Sequence, residues 1–196
     1  MLAGLRDPVL DGQRIFRTLL EATAHPGRIL AVDGPLPDEE LPPRWPLHAA
    51  TTAVCLTLLD FETPLWLDPA ARTPEVTAYL RFHCSCPIVD DQTAARFAVV
   101  AHAPGVPGLG TFDPGTEEYP DRSATVIVQA RTLSAAGRRL TGPGIESVAY
   151  LEAEGLPARF WEDLQINHAR FPRGVDVLLT AGRAVAALPR TTRVEG

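Results

Sequence analysis

Leu140-Thr141-Gly142-Pro143-Gly144-Ile145 is the stretch of this chain best suited to hold an oxyanion. Glycines on both sides of a proline turn the backbone sharply without side-chain bulk. A concave turn of this kind can aim backbone N–H groups, joined here by the Thr141 hydroxyl, at phosphate or phosphonate oxygens. The same residues also fit an ordinary tight turn. Arg81-Phe82-His83-Cys84-Ser85-Cys86-Pro87 supplies a second group, a guanidinium suited to anions and an imidazole that titrates near neutrality. Its alternative reading is a helix C-terminus in which Arg81 and His83 oppose the helix dipole. The third group, Leu188-Pro189-Arg190-Thr191-Thr192, sets an arginine and two hydroxyls just after an expected strand, where open α/β sheets gather ligand groups.

Other chemistries find less support. His83, Cys84 and Cys86 are zinc-ligand types, yet structural zinc sites pair cysteines at gaps of about two to four residues with a second ligand pair, and the sequence offers no such pair. No metal is expected. Neither Cys84 nor Cys86 has a sequence neighbourhood that marks a nucleophilic thiolate. Asp60, Asp176 and His25 are acid-base types whose separation in sequence leaves their distances open; a helix end, a turn and a structural role are the alternatives. The hydrolase elbow G-x-S-x-G, the dinucleotide fingerprint G-x-G-x-x-G and the H-E-x-x-H zinc motif are all missing. Every one of the 18 basic residues is arginine. A chain without lysine cannot form a Schiff base with pyridoxal phosphate (PLP), nor furnish the lysine of a Walker A loop.

With 24 acidic against 18 basic residues and a net charge of −6, the chain lacks the footprint of a nucleic-acid binder. Residues 1–10 contain no signal-like apolar region, and no later apolar run approaches the roughly 18 residues of a membrane span. A cytoplasmic location is expected, in keeping with an odd number of cysteines, Cys55, Cys84 and Cys86, of which the last two are too close to brace a fold.

The elements that must position these groups follow from capping and periodicity. Asp7 and Pro8 predict the start of an amphipathic helix running to about Ala24, ended by His25-Pro26-Gly27. A strand is expected over Arg28–Val32 and an irregular loop over Asp33–Pro46. Ala49–Leu59, apolar almost all round, predicts a helix buried on most sides. Thr73-Pro74-Glu75 caps another helix, which delivers Arg81 and His83 to its C-terminal end. Strands are expected at Leu65–Leu67, Ile88–Val89, Phe97–Val100, Thr125–Leu133, Val175–Thr180 and Ala184–Leu188, with a helix between Pro157 and Ala169. The sum is a single α/β domain, a mixed open sheet flanked by helices.

Phe16-Arg17, Pro26-Gly27, Thr52 to Asp60 with Thr63-Pro64, Arg81-Phe82-His83, Leu140 to Ile145, Phe171-Pro172 with Gly174 and Asp176, and Pro189 to Thr192 occur in an order and spacing that resemble the PhnH family, the H subunit of the bacterial carbon-phosphorus lyase core complex. The resemblance implies a fold similar to the large domain of PLP-dependent transferases, without that cofactor. It implies a homodimer when alone and assembly with the family's G, I and J subunits. It implies a part in transferring the ribose triphosphate of ATP to an alkylphosphonate with release of adenine, a step whose catalytic centre lies in the I subunit; the complex uses ATP and this chain binds no cofactor. Cys84 departs from the small hydroxyl residue expected after the histidine, and Asp33–Pro46 is longer and richer in proline than the family pattern. Arg81, His83, Thr141, Gly142, Gly144, Arg190 and Thr191 are the residues expected to line one cleft for a phosphorylated or phosphonate ligand, or for a partner loop. A purely structural assembly subunit with no ligand site, and a stand-alone acid-base enzyme, are the rival readings.

Overall fold

The computed structural model describes residues 2–32, 41–42 and 44–195. Most of the loop expected over Asp33–Pro46 lies outside these residues. Asp7 caps α1 (Pro8–Ala24): its carboxylate accepts from the N–H groups of Val9 and Leu10 at 3.0 and 2.9 Å, and Pro8 sets the first helical φ. Ile15, Leu19 and Ala22 form its buried face. Helix α2 (Ala49–Leu58) is buried without a break from Ala49 to Cys55, as its all-round apolar sequence requires. In α3 (Pro74–Cys84) the Thr73 hydroxyl accepts from the Val76 N–H at 3.2 Å, and the helix stops where Ser85 adopts a left-handed φ of 57°. Helix α4 (Ala158–Ala169) buries Phe160, Trp161, Leu164 and Asn167.

The strands are β1 (Leu30–Ala31), β2 (Leu65–Leu67), β3 (Ile88–Val89), β4 (Phe97–Val100), β5 (Thr125–Gln129), β6 (Leu133–Thr141), β7 (Ala149–Ala153), β8 (Asp176–Ala181), β9 (Ala184–Leu188) and β10 (Arg193–Glu195). Seven of them make one mixed sheet in the order β1-β9-β8-β5-β4-β2-β3. From β3 to β8 all pairings are parallel, whereas β9 returns antiparallel along β8 and β1 pairs antiparallel with β9. Strands covered on both faces bury successive residues on opposite sides. Val99, Ile127, Leu178, Val185 and Ala187 accordingly pack with α1, α2 and α3, while Val100, Val126, Val128, Leu179, Ala186 and Leu188 pack with α4 and a second sheet. That second sheet, β10-β6-β7, is antiparallel throughout.

The mixed α/β sheet flanked by helices agrees with the sequence reading, and two details correct it. The strand expected over Thr125–Leu133 is two strands. Between them the Ala130 N–H donates to the Thr180 carbonyl at 2.8 Å and the Arg131 N–H to the Glu154 carbonyl at 2.8 Å, so the chain leaves one sheet and enters the other within a few residues. Nothing in Thr125-Val-Ile-Val-Gln-Ala-Arg-Thr-Leu133 breaks the β pattern at that crossing. The small sheet as a whole was not expected, since β6 is built largely from Ser, Ala, Gly and Arg and its register shifts between Ser134 and Arg138.

One buried amide couples α4 to the large sheet. Asn167, 5% exposed, donates from Nδ2 to the Val175 carbonyl at 2.9 Å and accepts from the Val175 N–H at 2.8 Å. Asn167→Ala leaves both backbone groups buried and unpaired, at about 1 to 3 kcal/mol each before relaxation. Urea unfolding is expected to show a loss of about 2 to 4 kcal/mol with an unchanged m-value; a loss below about 0.5 kcal/mol would contradict the clamp.

Candidate functional site

Because β9 is antiparallel, Leu188 lies opposite Val177, and the chain that follows β9 emerges beside the start of β8. This brings Arg190 against Asp176. The Arg190 backbone N–H and Nε donate to Asp176 Oδ1 at 2.9 and 3.2 Å, and Nη2 donates to Oδ2 at 2.6 Å. Nη2 also reaches Ser123 Oγ at 2.6 Å, and Nη1 the Pro120 carbonyl at 2.5 Å. One guanidinium thus ties together the turn at residues 120–123, the start of β8 and the segment after β9, with its side chain only 12% exposed. A cavity of about 220 Å³ opens beside it, lined among others by Pro120, Phe171, Pro172 and Thr191. Four of the side chain's hydrogen bonds are already made to the protein. Since a guanidinium carries only about five N–H donors, little of it is left for a ligand.

Thr141 ends β6 opposite Arg193, and the Gly-Pro-Gly turn follows. Gly142 has φ 132°, and a Cβ there would stand 2.8 Å from the Thr191 carbonyl oxygen. At Gly144, φ 83°, a Cβ would stand 2.1 Å from the Ala24 carbonyl oxygen. Both glycines are therefore demanded by close backbone approach, the turn being wedged between the end of α1 and the segment after β9. Gly144 borders a broad hollow of about 770 Å³ that it shares with His25, Arg28, Glu146 and Tyr150. Arg28 is engaged there by Glu21 at 2.9 Å.

His83 lies on the other face of the sheet, with the helices α1, α2 and α3. Its Nε2 is 3.1 Å from the Leu2 carbonyl and its ring centroid 4.5 Å from that of Tyr79, whose hydroxyl donates to the Ala3 carbonyl at 2.9 Å. Together they fasten the N-terminal residues to α3. Arg81 is exposed on the same last turn. Beneath it the three cysteines are buried and unbridged, Cys84 Sγ facing the Cys55 carbonyl at 3.7 Å and Cys86 Sγ the Leu80 carbonyl at 3.9 Å. Burial pushes the Cys55 thiol above its ordinary pKa; the hydrogen bond with Cys86 and then burial do the same for Cys84. Both are core thiols, poorly suited to nucleophilic chemistry.

The seven residues expected in one cleft thus occupy separate places. Thr141, Gly142, Arg190 and Thr191 cluster near the start of β8, Gly144 meets the end of α1, and Arg81 with His83 sit across the sheet. The large sheet stands between the two groups, since α3 packs on one face with α1 and α2 while Leu188 and Val194, which flank Arg190 and Thr191, pack on the other. The end of the antiparallel β9 also lies at the N-terminal edge of its parallel neighbours, opposite the edge where α/β sheets hold ligands. At the C-terminal edge of β4 and β5 lies a cavity of about 260 Å³ that sequence reasoning passed over, lined by His48, His102, Gln129 and Arg131 among others. No motif marks these residues. Their only signal is position, Gln129 ending one parallel strand and His102 following another.

Residues 3–195 match the family model described as bacterial phosphonate metabolism protein, PhnH. The chain is 41% identical over 191 residues to the alpha-D-ribose 1-methylphosphonate 5-triphosphate synthase subunit PhnH of Rhizobium meliloti (strain 1021), covering 96% of this chain and 92% of that protein. It is 31% identical over 187 residues, 93% of this chain and 85% of the relative, to HtxG of Stutzerimonas stutzeri, named as a candidate C-P lyase subunit.

Replacing Arg190 tests whether it acts as a clamp. Arg190→Met leaves Asp176 only the backbone N–H of residue 190 and takes this donor from the Pro120 carbonyl and Ser123 hydroxyl, and breaking a largely buried ion pair costs about 3 to 5 kcal/mol, less here because Asp176 is 35% exposed. A loss of about 2 to 3 kcal/mol in denaturant unfolding is expected, with Arg190→Lys recovering less than half because an ammonium cannot span the same acceptors. A neutral Arg190→Met would contradict the structural role.

Proposed function

This chain belongs to the bacterial phosphonate metabolism family PhnH, and we propose that it serves as the H-type subunit of a carbon-phosphorus lyase core complex. In this reading it is a required component in transferring the ribose triphosphate of ATP to an alkylphosphonate, with adenine released. It works in the cytoplasm, dimerises when alone, assembles with G, I and J subunits and binds no cofactor itself. Its fold is kin to the large domain of PLP-dependent transferases with the PLP chemistry absent, which agrees with a chain that has no lysine. The observation that carries the reading is the 41% identity, over 96% of the chain, to a protein named as a subunit of the synthase.

A second reading, a subunit that shapes partner surfaces and binds no ligand at the predicted motifs, draws on geometry. Arg190 is spent on Asp176, Ser123 and Pro120, and His83 faces the Leu2 carbonyl. Gly142 and Gly144 make room for neighbouring carbonyls. Arg81, exposed at the end of α3, is the member of the seven best placed to meet an anionic group on a ligand or partner.

A bacterial host lacking the pathway, given this chain together with partner genes from the same source, is expected to grow on methylphosphonate as its only phosphorus source. Growth that is equally good when this gene is omitted would contradict the proposed role. Within the growing strain, loss of growth with Arg81→Ala at normal protein levels supports a contact through Arg81, and unaltered growth removes Arg81 from the working surface.

A further inference from the structure

The chain leaving β2 passes through α3 on one face of the large sheet. The chain leaving its neighbour β4 runs through residues 101–124, which bury Ala103, Val106, Leu109 and Phe112 on the other face. Adjacent parallel strands whose exits diverge in this way create a crevice at their C-terminal ends, where open α/β sheets bind ligands. The cavity of His48, His102, Gln129 and Arg131 lies at the C-terminal ends of β4 and β5, beside this divergence.

Its walls are held by buried polar side chains. Gln129, 3% exposed, accepts from the His48 N–H at 2.6 Å and donates to the Pro46 carbonyl at 2.9 Å. Asp68, 4% exposed, accepts from the His102 N–H at 3.0 Å and from the Ala71 N–H at 2.7 Å. Two buried polar side chains at strand ends are thus spent on fixing the backbone of the two histidines that line the cavity. Packing and hydrogen bonding of this kind pre-organise a binding site. The Gly182 N–H donates to His48 Nδ1 at 3.3 Å, which helps to fix the orientation of the ring. Helix α2 starts at His48 with no side-chain cap, bringing the positive end of its dipole to the same wall. Arg131 is paired with Glu154 at 2.7 Å, and Glu154 also accepts from the Thr132 hydroxyl at 3.0 Å, so this arginine brings little net charge.

We propose that this cavity binds a small tetrahedral phosphorus oxyanion, with His48 and His102 as the gripping side chains. A volume of about 260 Å³ falls just below the roughly 300 to 1,000 Å³ of drug-sized ligand sites. It suits a phosphate or alkylphosphonate group and not a whole nucleoside triphosphate. The preference for an alkylphosphonate over phosphate rests on the proposed function; the oxyanion site itself does not.

The test is a titration of the purified full-length chain with inorganic phosphate and, separately, methylphosphonate, followed by NMR of the histidine Cε1–H resonances. The sequence holds five histidines. Saturable shifts are expected at His48 and His102 and not at His25, His83 and His168. His102→Gln keeps the backbone N–H that Asp68 holds, so the fold is retained, and binding is expected to weaken roughly tenfold, as for a lost hydrogen bond to a charged group. Tighter binding of methylphosphonate ties the site to the pathway, and equal or tighter binding of phosphate leaves it an oxyanion site of another use. Either anion moving all five resonances alike, neither moving His48 or His102 saturably, or an unchanged Kd in His102→Gln overturns the proposal. Because this experiment uses the isolated chain, its failure is separate from failure of the growth experiment.

Discussion

The antiparallel return of β9 along β8 governs both edges of the large sheet. At the tip of this hairpin the Gly182 carbonyl accepts from the Ala50 N–H at 2.9 Å, and just before the tip, on β8, the Thr180 hydroxyl meets that of Thr51 at 2.7 Å. These contacts seat the start of α2, and so His48, over the C-terminal ends of the parallel strands. At the open end of the hairpin the same pairing delivers Arg190 to Asp176. A slip of one residue would turn every side chain of β9 to the wrong face and separate both sets of partners.

Buried polar groups do much of the fixing. Asp68, Gln129 and Asn167 each use two side-chain atoms on backbone groups, the Gln129 partners and His102 lying far along the chain and Ala71 and Val175 close by, where a purely apolar contact would leave those groups unpaired at about 1 to 3 kcal/mol apiece. Thr192 is the counterexample among the described residues, its buried hydroxyl having no partner. It sits on the segment that Arg190 and Gly142 hold in place, where the surrounding contacts outweigh a local deficit.

Local chemistry in the sequence was legible. Asp7-Pro8 and Thr73-Pro74 marked helix starts, and the apolar run from Ala49 marked a helix covered on most sides, because capping and periodicity act within a few residues. The direction of β9 was legible from its connection: the three residues between Thr180 and Ala184 are too few for a parallel crossover, so the strand must return antiparallel. The reading of Arg190 as a ligand group at a strand's C-terminal end did not use that constraint, which decides on which edge Arg190 falls. The Gly-Pro-Gly turn was recognisable as a turn, but the Ala24 and Thr191 carbonyls that require its glycines come from distant parts of the chain. His48 and His102 carry no motif, since their relation is made by Gln129 and Asp68 through the fold.

These features describe a subunit with an edge at which the Arg190 guanidinium is bound within the protein, and a histidine-lined cavity at the opposite edge. That division suits a protein that contributes surfaces and one small site to a larger assembly. Reconstitution tests it most directly: the purified chain is combined with the G, I and J subunits and the ATP-binding partner, and supplied with ATP and methylphosphonate. Assembly is followed by size-exclusion chromatography and product by phosphorus NMR. Co-elution with the partners, and a ribose phosphonate product that forms only when this chain is present, is the predicted result. Separate elution with product formed equally well in its absence would contradict it.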